Sequence, residues 1–316
     1  MSKLFTIIIP TYNSSAYITK TLECLYRQSE NNFLVLIIDD RSTDQTVSVI
    51  KQYQKLKIEL VVKEKKIPKG AAASLNLAFK QVGTAYLAII DSDAFLAINW
   101  LAEIKKELVL HELVGAPILA YRKNTPLGYL VGLEIESRYE RIKKGRLGHL
   151  SSCNLAGKSE IFKNLRLSEK LLYAYDHQLS YLVTTANRKF YLTDKTYCFH
   201  LNKATFKNIF LQQFNIAKFH LMLAKKMPNK AVENDKISNK NLAIQPAIFL
   251  AAIVMFFLNI YIAVVFLFFL IILNFNFLVY ASTRAGIKFL PLAFFYIFIR
   301  NLAWTAGAFV GIFINL

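Results

Sequence analysis

The stretch AYLAIIDSDAF (85–95) decides how this chain is read. Tyr86 to Ile90 is a short, fully apolar run that suits a buried strand. It ends directly on two carboxylates two positions apart, Asp91 and Asp93. A charge beside a buried strand is costly unless it is paired or bound to a metal. Two readings follow from these residues alone. Either the pair seats a cation, or Asp-Ser-Asp caps the segment after Ala94.

Working outward, the pattern repeats. Thr6 to Ile9 is a β-branched run ending at Pro10, followed by a helix capped by Ser14 or Ser15 and running to about Gln28. Phe33 to Ile38 is a second apolar strand, ended by Asp39-Asp40-Arg41-Ser42-Thr43-Asp44. A helix over about 45–56, a strand over 59–62 and a small-residue helix over 69–82 precede the opening stretch. Short apolar strands alternating with helices predict an α/β fold, a mostly parallel sheet covered on both faces. Ligands of such sheets bind beyond the carboxyl ends of the strands. That places Tyr12, Asp39, Asp40, Asp91 and Asp93 along one rim. No G-x-G-x-x-G follows the first strand and no G-x-x-x-x-G-K-[ST] occurs, which argues against a dinucleotide oxidoreductase or a P-loop NTPase.

The remainder differs in composition. The 316 residues are 54% hydrophobic, yet from Asn241 onward there is no Asp or Glu, and the basic residues are Arg284, Lys288 and Arg300. Ala243 to Ala281 carries no charge over a length of about two bilayer spans. It predicts a hairpin interrupted near Asn259 to Tyr261. Leu290 to Leu316 predicts a third segment, in which Arg300 is awkward because an intramembrane arginine is expensive. The expected organisation is therefore a domain over 1–225, a basic linker over 226–242 and a membrane domain of about three helices over 243–316. The net charge is +18. Its lysines concentrate before the apolar tail, so an anionic membrane surface explains the charge better than nucleic acid. By the positive-inside rule this basic segment and Arg284–Lys288 face the cytoplasm. The cysteines, Cys24, Cys153 and Cys198, show no paired or metal-ligand spacing, which fits a reduced compartment. The first residues do not read as a signal peptide.

Four stretches, in this order and spacing, carry a resemblance: TIIIPTYN (6–13), LIIDDRSTDQT (36–46), KGAAASLN (69–76) and IIDSD (89–93). Together they resemble family 2 glycosyltransferases of the GT-A fold, a Rossmann-like arrangement. SCNLAGKSEIF (152–162) looks like that family's acceptor-side segment. AYDHQLSYL (174–182) lies where the family has Glu-Asp opening a helix, and Cys198-Phe199-His200 lies where a late strand often ends in His. The resemblance covers about residues 4–220. The tail is similar to that of members, including the succinoglycan-type subgroup, that build surface polysaccharides or glycolipids.

The resemblance implies an inverting, hexosyltransferase-like enzyme, multi-pass in the cell membrane, with its catalytic domain in the cytoplasm. Its partners would be a nucleotide-diphosphate sugar donor, a lipid-linked or glycan acceptor, and membrane lipids, without nucleic acid. Asp93 would ligate Mg²⁺ or Mn²⁺, hard cations that prefer carboxylate oxygen. Asp91 would bind the ribose or reach the metal through water. Asp40 would meet the base, with Asp39 holding the loop. Pro10, Thr11 and Tyr12 would pack on the nucleotide. Lys69 would meet a phosphate, or is simply solvated. His200 is a third metal ligand, a diphosphate contact or a buried structural histidine.

Asp176 is the implied general base, since an inverting transfer needs the acceptor hydroxyl deprotonated; a helix cap is the competing reading. Tyr175 replaces the family's Glu. LQQFNIAKFH (211–220) lacks the Arg-Trp of processive synthases. Asp-Ser-Asp-Ala departs from the Asp-Ala-Asp-Leu of polyprenyl-phosphate sugar synthases. Both departures favour transfer of a single sugar to a hydroxyl. A polyprenyl-phosphate glycosyltransferase and a non-catalytic membrane nucleotide-binding or assembly subunit remain the alternatives. The charged run 136–152 reads as a solvated or acceptor-side loop. Phe206 to Met222 reads as an amphipathic helix, on the membrane or packed in a core.

Overall fold

The computed structural model describes residues 3–53, 55–62, 70–142, 144–226 and 240–314. Lys69 and most of the basic linker lie outside these residues. The chain forms two compact units. One comprises Met1–Ile118 and Lys143–His200; the other comprises Leu119–Ile142, Leu201–Asn229 and Asp235–Leu316.

In the first unit the chain runs β1 (Phe5–Thr11), α1 (Ile18–Tyr26), β2 (Phe33–Asp39), α2 (Thr46–Gln52), β3 (Ile58–Val62), α3 (Gly70–Phe79), β4 (Tyr86–Ile90), β5 (Ala94–Leu96), α4 (Trp100–Glu107) and β6 (Leu113–Gly115). β7 (Ile118–Ala120) leads into α5 (Pro126–Ile142) of the second unit. The chain returns as β8 (Gly145–Leu147), β9 (Asn154–Lys158), α6 (Ser159–Lys163), α7 (Tyr175–Thr185), β10 (Phe190–Leu192) and β11 (Cys198–His200). The main sheet has eight strands in the order β3-β2-β1-β4-β9-β6-β10-β8. β3, β2, β1 and β4 are mutually parallel. β9 runs antiparallel to both β4 and β6, which closes the nucleotide-type half and starts a mixed one.

The residues explain this arrangement. β1 is buried along its whole length, so its β-branched run needs cover on both faces. Its pairing with β4 stops at Ile8, and Pro10 therefore removes no ladder donor on that side. The strand order reverses between β1 and β4. A crevice opens at such a point beyond the carboxyl ends of the strands. Two loops at this rim are stitched together. Asn13 N donates to Ser42 Oγ (2.8 Å), Thr43 N to Asn13 Oδ1 (2.8 Å), and Ser15 Oγ to Asp44 Oδ2 (2.7 Å). Asn13 and Arg41 take left-handed backbone angles to make these turns. α1 begins later than its serines suggest. Ser14 holds its entry through its carbonyl, which accepts from Tyr17 N and Ile18 N, and no side chain caps it.

The second unit is helical: α5, α8 (Phe206–Lys226), α9 (Lys240–Leu258), α10 (Ile260–Ala285), a 3-10 turn at Ile287–Phe289, and α11 (Leu290–Phe313). Residues 119–142 and 201–226 pack with the apolar helices in this unit. The run expected to be a loop from residue 136 is, through Ile142, the last part of α5. Its apolar face (Leu127, Leu130, Val131, Leu133) shares a core with Phe277, Leu278, Ala293 and Tyr296, and that burial makes it helical. α8 packs along α11. A Cβ on Gly307 would stand 2.2 Å from the Phe214 carbonyl oxygen, so only glycine permits this approach. Lys225 Nζ donates to the Gly311 carbonyl (2.9 Å) and to that of Ile312, satisfying the last turn of α11.

α9 and α10 break where the sequence indicates. Asn259 is extended, and its side-chain oxygen accepts from Tyr261 N and Ile262 N at the start of α10. Gln245 and Asn274, almost equidistant from the break, hydrogen-bond at 3.2 Å, so the pair is an antiparallel hairpin. Residues 260–285 and 287–313 form helices long and apolar enough to cross a membrane; Leu242–Leu258 is a shorter apolar helix. Arg300 does not face outward. It is completely buried, donates to Glu134, to Gln245 Oε1 (2.6 Å) and to Asn274 Oδ1 (2.8 Å), and stacks on Trp304.

Candidate active site

β4 delivers Asp91 and Asp93 to the rim, and β11 delivers His200. β11 pairs antiparallel with β5, aligning His200 with Ala94, the residue after Asp93. That register brings His200 Nε2 to 3.2 Å from Asp93 Oδ1 and 3.8 Å from Asp91 Oδ2. One ligand atom from each residue lies within 4.8 Å of the others, so the three could hold one ion. The loop between the carboxylates is tied down: Asp91 N donates to Cys153 O (3.1 Å), Thr21 Oγ1 to Ser92 O (2.6 Å), and Ser92 Oγ meets Ser14 Oγ (2.9 Å). A fixed loop presents both carboxylates together, beyond what a helix cap requires.

The electrostatics show a demand for positive charge. Burial alone would lower the His200 pKa, but Asp93 and then Asp91 hold it well above the ordinary histidine range. Burial, with repulsion from Asp93, raises Asp91 above the usual carboxylate range against the hydrogen bond from His200. Two carboxylates and an imidazole form a donor set that suits Mg²⁺ or Mn²⁺.

Asp176 lies in the first turn of α7, and its charge is felt by Asp91. The cap position of α7 is Ala174, with φ +61°, so Asp176 is not the cap. Asp176 Oδ1 accepts from His177 N at 3.0 Å, and His177 Nδ1 lies 3.2 Å from the same oxygen. His177 stacks on the buried His149 (ring centroids 4.1 Å apart), and His149 Nδ1 meets Ser180 Oγ at 2.8 Å. Tyr175 is directed toward Ser152 Oγ (3.3 Å), and burial with the charges of Asp91 and Asp176 pushes its phenol well above the usual range. Sequence reasoning did not single out His149, His177 or Ser152. His177 follows Asp176 directly, and that adjacency was the available signal.

The residues expected on the nucleotide side divide. Asp39 accepts from Ser42 N (2.9 Å) and Ser42 Oγ (2.6 Å) and holds the loop. Asp40 is buried, and its Oδ2 accepts from Gly70 N at 2.6 Å, clamping the start of α3 beside β2. Pro10 and Thr11 are buried in β1, while Tyr12 is 46% exposed just past its end.

The family model described as glycosyl transferase family 2 matches residues 6–166. Poly(ribitol-phosphate) beta-N-acetylglucosaminyltransferase TarS of Staphylococcus aureus is 36% identical over 95 residues, which is 29% of this chain and 16% of TarS. Amylovoran biosynthesis glycosyltransferase AmsB of Erwinia amylovora is 38% identical over 93 residues, 28% of this chain and 30% of AmsB. The chain thus matches less than a third of either relative's length. Mannosyltransferase PcManGT of Pyrobaculum calidifontis, solved with GDP-Man and Mn²⁺, superposes with a TM-score of 0.60 at 18% identity, covering 94% of this chain and 86% of that one. Residues 1–349 of TarS, solved with UDP-GlcNAc, superpose with a TM-score of 0.51 at 17% identity, covering 96% of this chain and 90% of that one. Both likenesses concern the fold.

Proposed function

The chain belongs to glycosyl transferase family 2, and from that premise we propose that it is a membrane-anchored, metal-dependent inverting glycosyltransferase. It moves a sugar from a nucleotide-diphosphate sugar to a hydroxyl of a lipid-linked saccharide, in the synthesis of a cell-surface polysaccharide or glycolipid. The observation that carries this reading is the grouping of Asp91, Asp93 and His200 at the end of β4, with the charge of Asp176 felt by Asp91. Asp93, Asp91 and His200 would hold a divalent cation, which would supply positive charge to stabilise the departing diphosphate. Tyr12 offers an exposed ring for the base, and Asp40, which clamps Gly70 N, is tied to the residue before Tyr12, its N–H donating to the Thr11 carbonyl at 2.8 Å. Asp176, in the first turn of α7 with its charge felt by Asp91, removes the acceptor proton.

The membrane part of the reading is supported by the second unit's surface. Phe257, Tyr261, Phe268 and Phe275 are 80%, 82%, 59% and 60% exposed. An apolar surface of that extent marks a membrane or partner face. The hairpin and α11 would span the bilayer, anchoring the enzyme in the plane of a lipid acceptor, with the catalytic unit in the cytoplasm.

The test is direct. The purified chain is incubated with a panel of UDP- and GDP-sugars and Mn²⁺, and release of the nucleoside diphosphate is followed. Release from one donor, abolished by EDTA and restored by Mn²⁺, is the expected result. Nucleotide binding without turnover of any donor, with every acceptor offered, would favour a non-catalytic binding subunit.

A further inference from the structure

Asp176 sits at the start of a helix whose own entry does little to orient it. Ala174, which opens α7, is left-handed, and no side chain caps the helix. Two histidines make up for this. His177 N donates to Asp176 Oδ1 at 3.0 Å, and His177 Nδ1 lies 3.2 Å from the same oxygen. An ionised carboxylate only accepts, so His177 carries a proton on Nδ1. Two donors from one residue meet one oxygen, and this sets the rotation of the carboxylate.

The His177 side chain is 25% exposed and needs a support. Its ring stacks on that of His149, with the planes inclined by 27°. His149 is buried, and the position of its proton follows from its neighbour. Ser180 Oγ has one proton, which goes to the Asp176 carbonyl at 2.9 Å, a group that can only accept. The 2.8 Å contact between Ser180 Oγ and His149 Nδ1 therefore takes its proton from Nδ1. Both rings carry Nδ1–H, and both return to residue 176, one through its carboxylate and the other through its backbone carbonyl. The segment 149–153 also supplies Ser152, 3.3 Å from the Tyr175 hydroxyl, and Cys153, whose carbonyl accepts from Asp91 N at 3.1 Å. It joins the first turn of α7 to the loop that bears Asp91. One ligand atom from each of His149, Asp176 and His177 lies within 4.8 Å of the others. The stacking nevertheless argues against a metal there, because the lone pairs of two face-to-face rings lie in separate planes and do not converge on one ion.

We propose that His177, locked by its stack on His149, is the positioning residue of Asp176 and holds the carboxylate in the orientation that takes the acceptor proton. The inference rests on the reading of Asp176 as the base. His177 Nδ1 already bears a proton, so it cannot receive the one that Asp176 removes; the pair orients the base and is not the next carrier through that atom. Orientation of this kind matters because a misplacement of about 1 Å can cost on the order of a hundredfold in rate.

The test has a spectroscopic and a kinetic part. The chain has five histidines, so nitrogen-15 labelling of histidine in the full chain, in a non-ionic detergent, gives a spectrum simple enough to assign. The signals of His149 and His177 are identified by their absence in His149→Phe and His177→Asn, and both are expected to show a protonated Nδ1 in the parent. A neutral ring protonated at Nε2 instead, at either position, overturns the inference. For the kinetics, the donor is the one that the panel of UDP- and GDP-sugars identifies, and release of the nucleoside diphosphate is followed. His177→Phe keeps a ring on His149 and removes the donor; kcat is expected to fall about tenfold, with the donor KM and the melting temperature unchanged. His177→Asn places an amide N–H near where Nδ1 stood and should recover kcat to within about threefold of the parent. In an Asp176→Asn background His177→Phe should cost nothing more, since no base is left to orient. A parent-like kcat in His177→Phe, a loss in His177→Asn as large as that in His177→Phe, or additive losses each overturn the inference. A parent-like rate in Asp176→Asn overturns the base reading itself, which separates the two failures.

Discussion

Asp93 stands 3.2 Å from a histidine that it keeps from losing its proton. The cluster thus holds a positive charge of its own, which a divalent cation bound by these three residues would replace. Asp93→Asn removes charge with little change of shape; donor turnover is expected to fall by at least about a hundredfold, and Mn²⁺-dependent nucleotide binding to weaken. Full activity of that variant, or of the parent in EDTA, would remove the cation from the mechanism. Asp176 tests a different step. Asp176→Asn should leave nucleotide and metal affinity nearly unchanged while transfer drops on the order of a hundredfold. A parent-like rate would move the polyprenyl-phosphate reading ahead, because an anionic acceptor needs no base. Asp40→Ala should weaken nucleotide binding and also lower the melting temperature, since its carboxylate clamps Gly70 N; calorimetry beside a thermal melt separates the two effects. The carboxylate pair was legible because two aspartates at spacing two end an apolar strand. His149 and Ser180 were not: 31 residues separate them, and no periodicity announces a stacked imidazole pair.

At the scale of helices, the strongest polar interaction ties α5 to α11. Burial would raise the Glu134 carboxyl, but Arg300 and Arg138 hold it down at about 2. Because that value lies below the ordinary 4.5, the stabilisation is complete above pH 4.5 and is lost as pH falls toward 2. A melting series in detergent from about pH 6 to about pH 3 is expected to decline below pH 4.5, and less steeply in Glu134→Gln. Arg300→Met leaves the buried carboxylate with Arg138 and the Tyr296 hydroxyl but without its second guanidinium, at a cost of about 3 kcal/mol. Glu134→Gln/Arg300→Met should recover most of that loss, and an additive cycle would mean that the two do not act as a pair. This link was hidden in the sequence for a physical reason. Glu134 lies two residues before the charged run 136–152 that reads as solvated, and Arg300 reads as an intruder in an apolar run. Each makes sense only beside the other. The first four strands were far easier to place, since β1, β2 and β4 are apolar runs ended by turn residues and β3 lies between them, whereas short strands such as β8 (Gly145–Leu147) carry no such run.

For the whole molecule, the prediction concerns sidedness. Cysteines placed at Ser238 and Ser282, in a chain without its native thiols, are expected to be labelled only after the membrane is opened. Labelling of either from outside intact cells contradicts the cytoplasmic orientation. Composition showed where the apolar tail begins, but not that residues 119–142 and 201–226 pack with it. An interior segment joins a distant core through contacts that leave no trace in local composition. The Glu134–Arg300 pair spans 166 residues, and this has a consequence for synthesis. Translation at about 5–20 residues per second separates the two by roughly 10–30 s. Through that interval the newborn α5 carries Glu134 with Arg138 alone of its two guanidinium partners. The polar lock between α5 and α11 can therefore close only after residue 300 has been made, late in the synthesis of the chain.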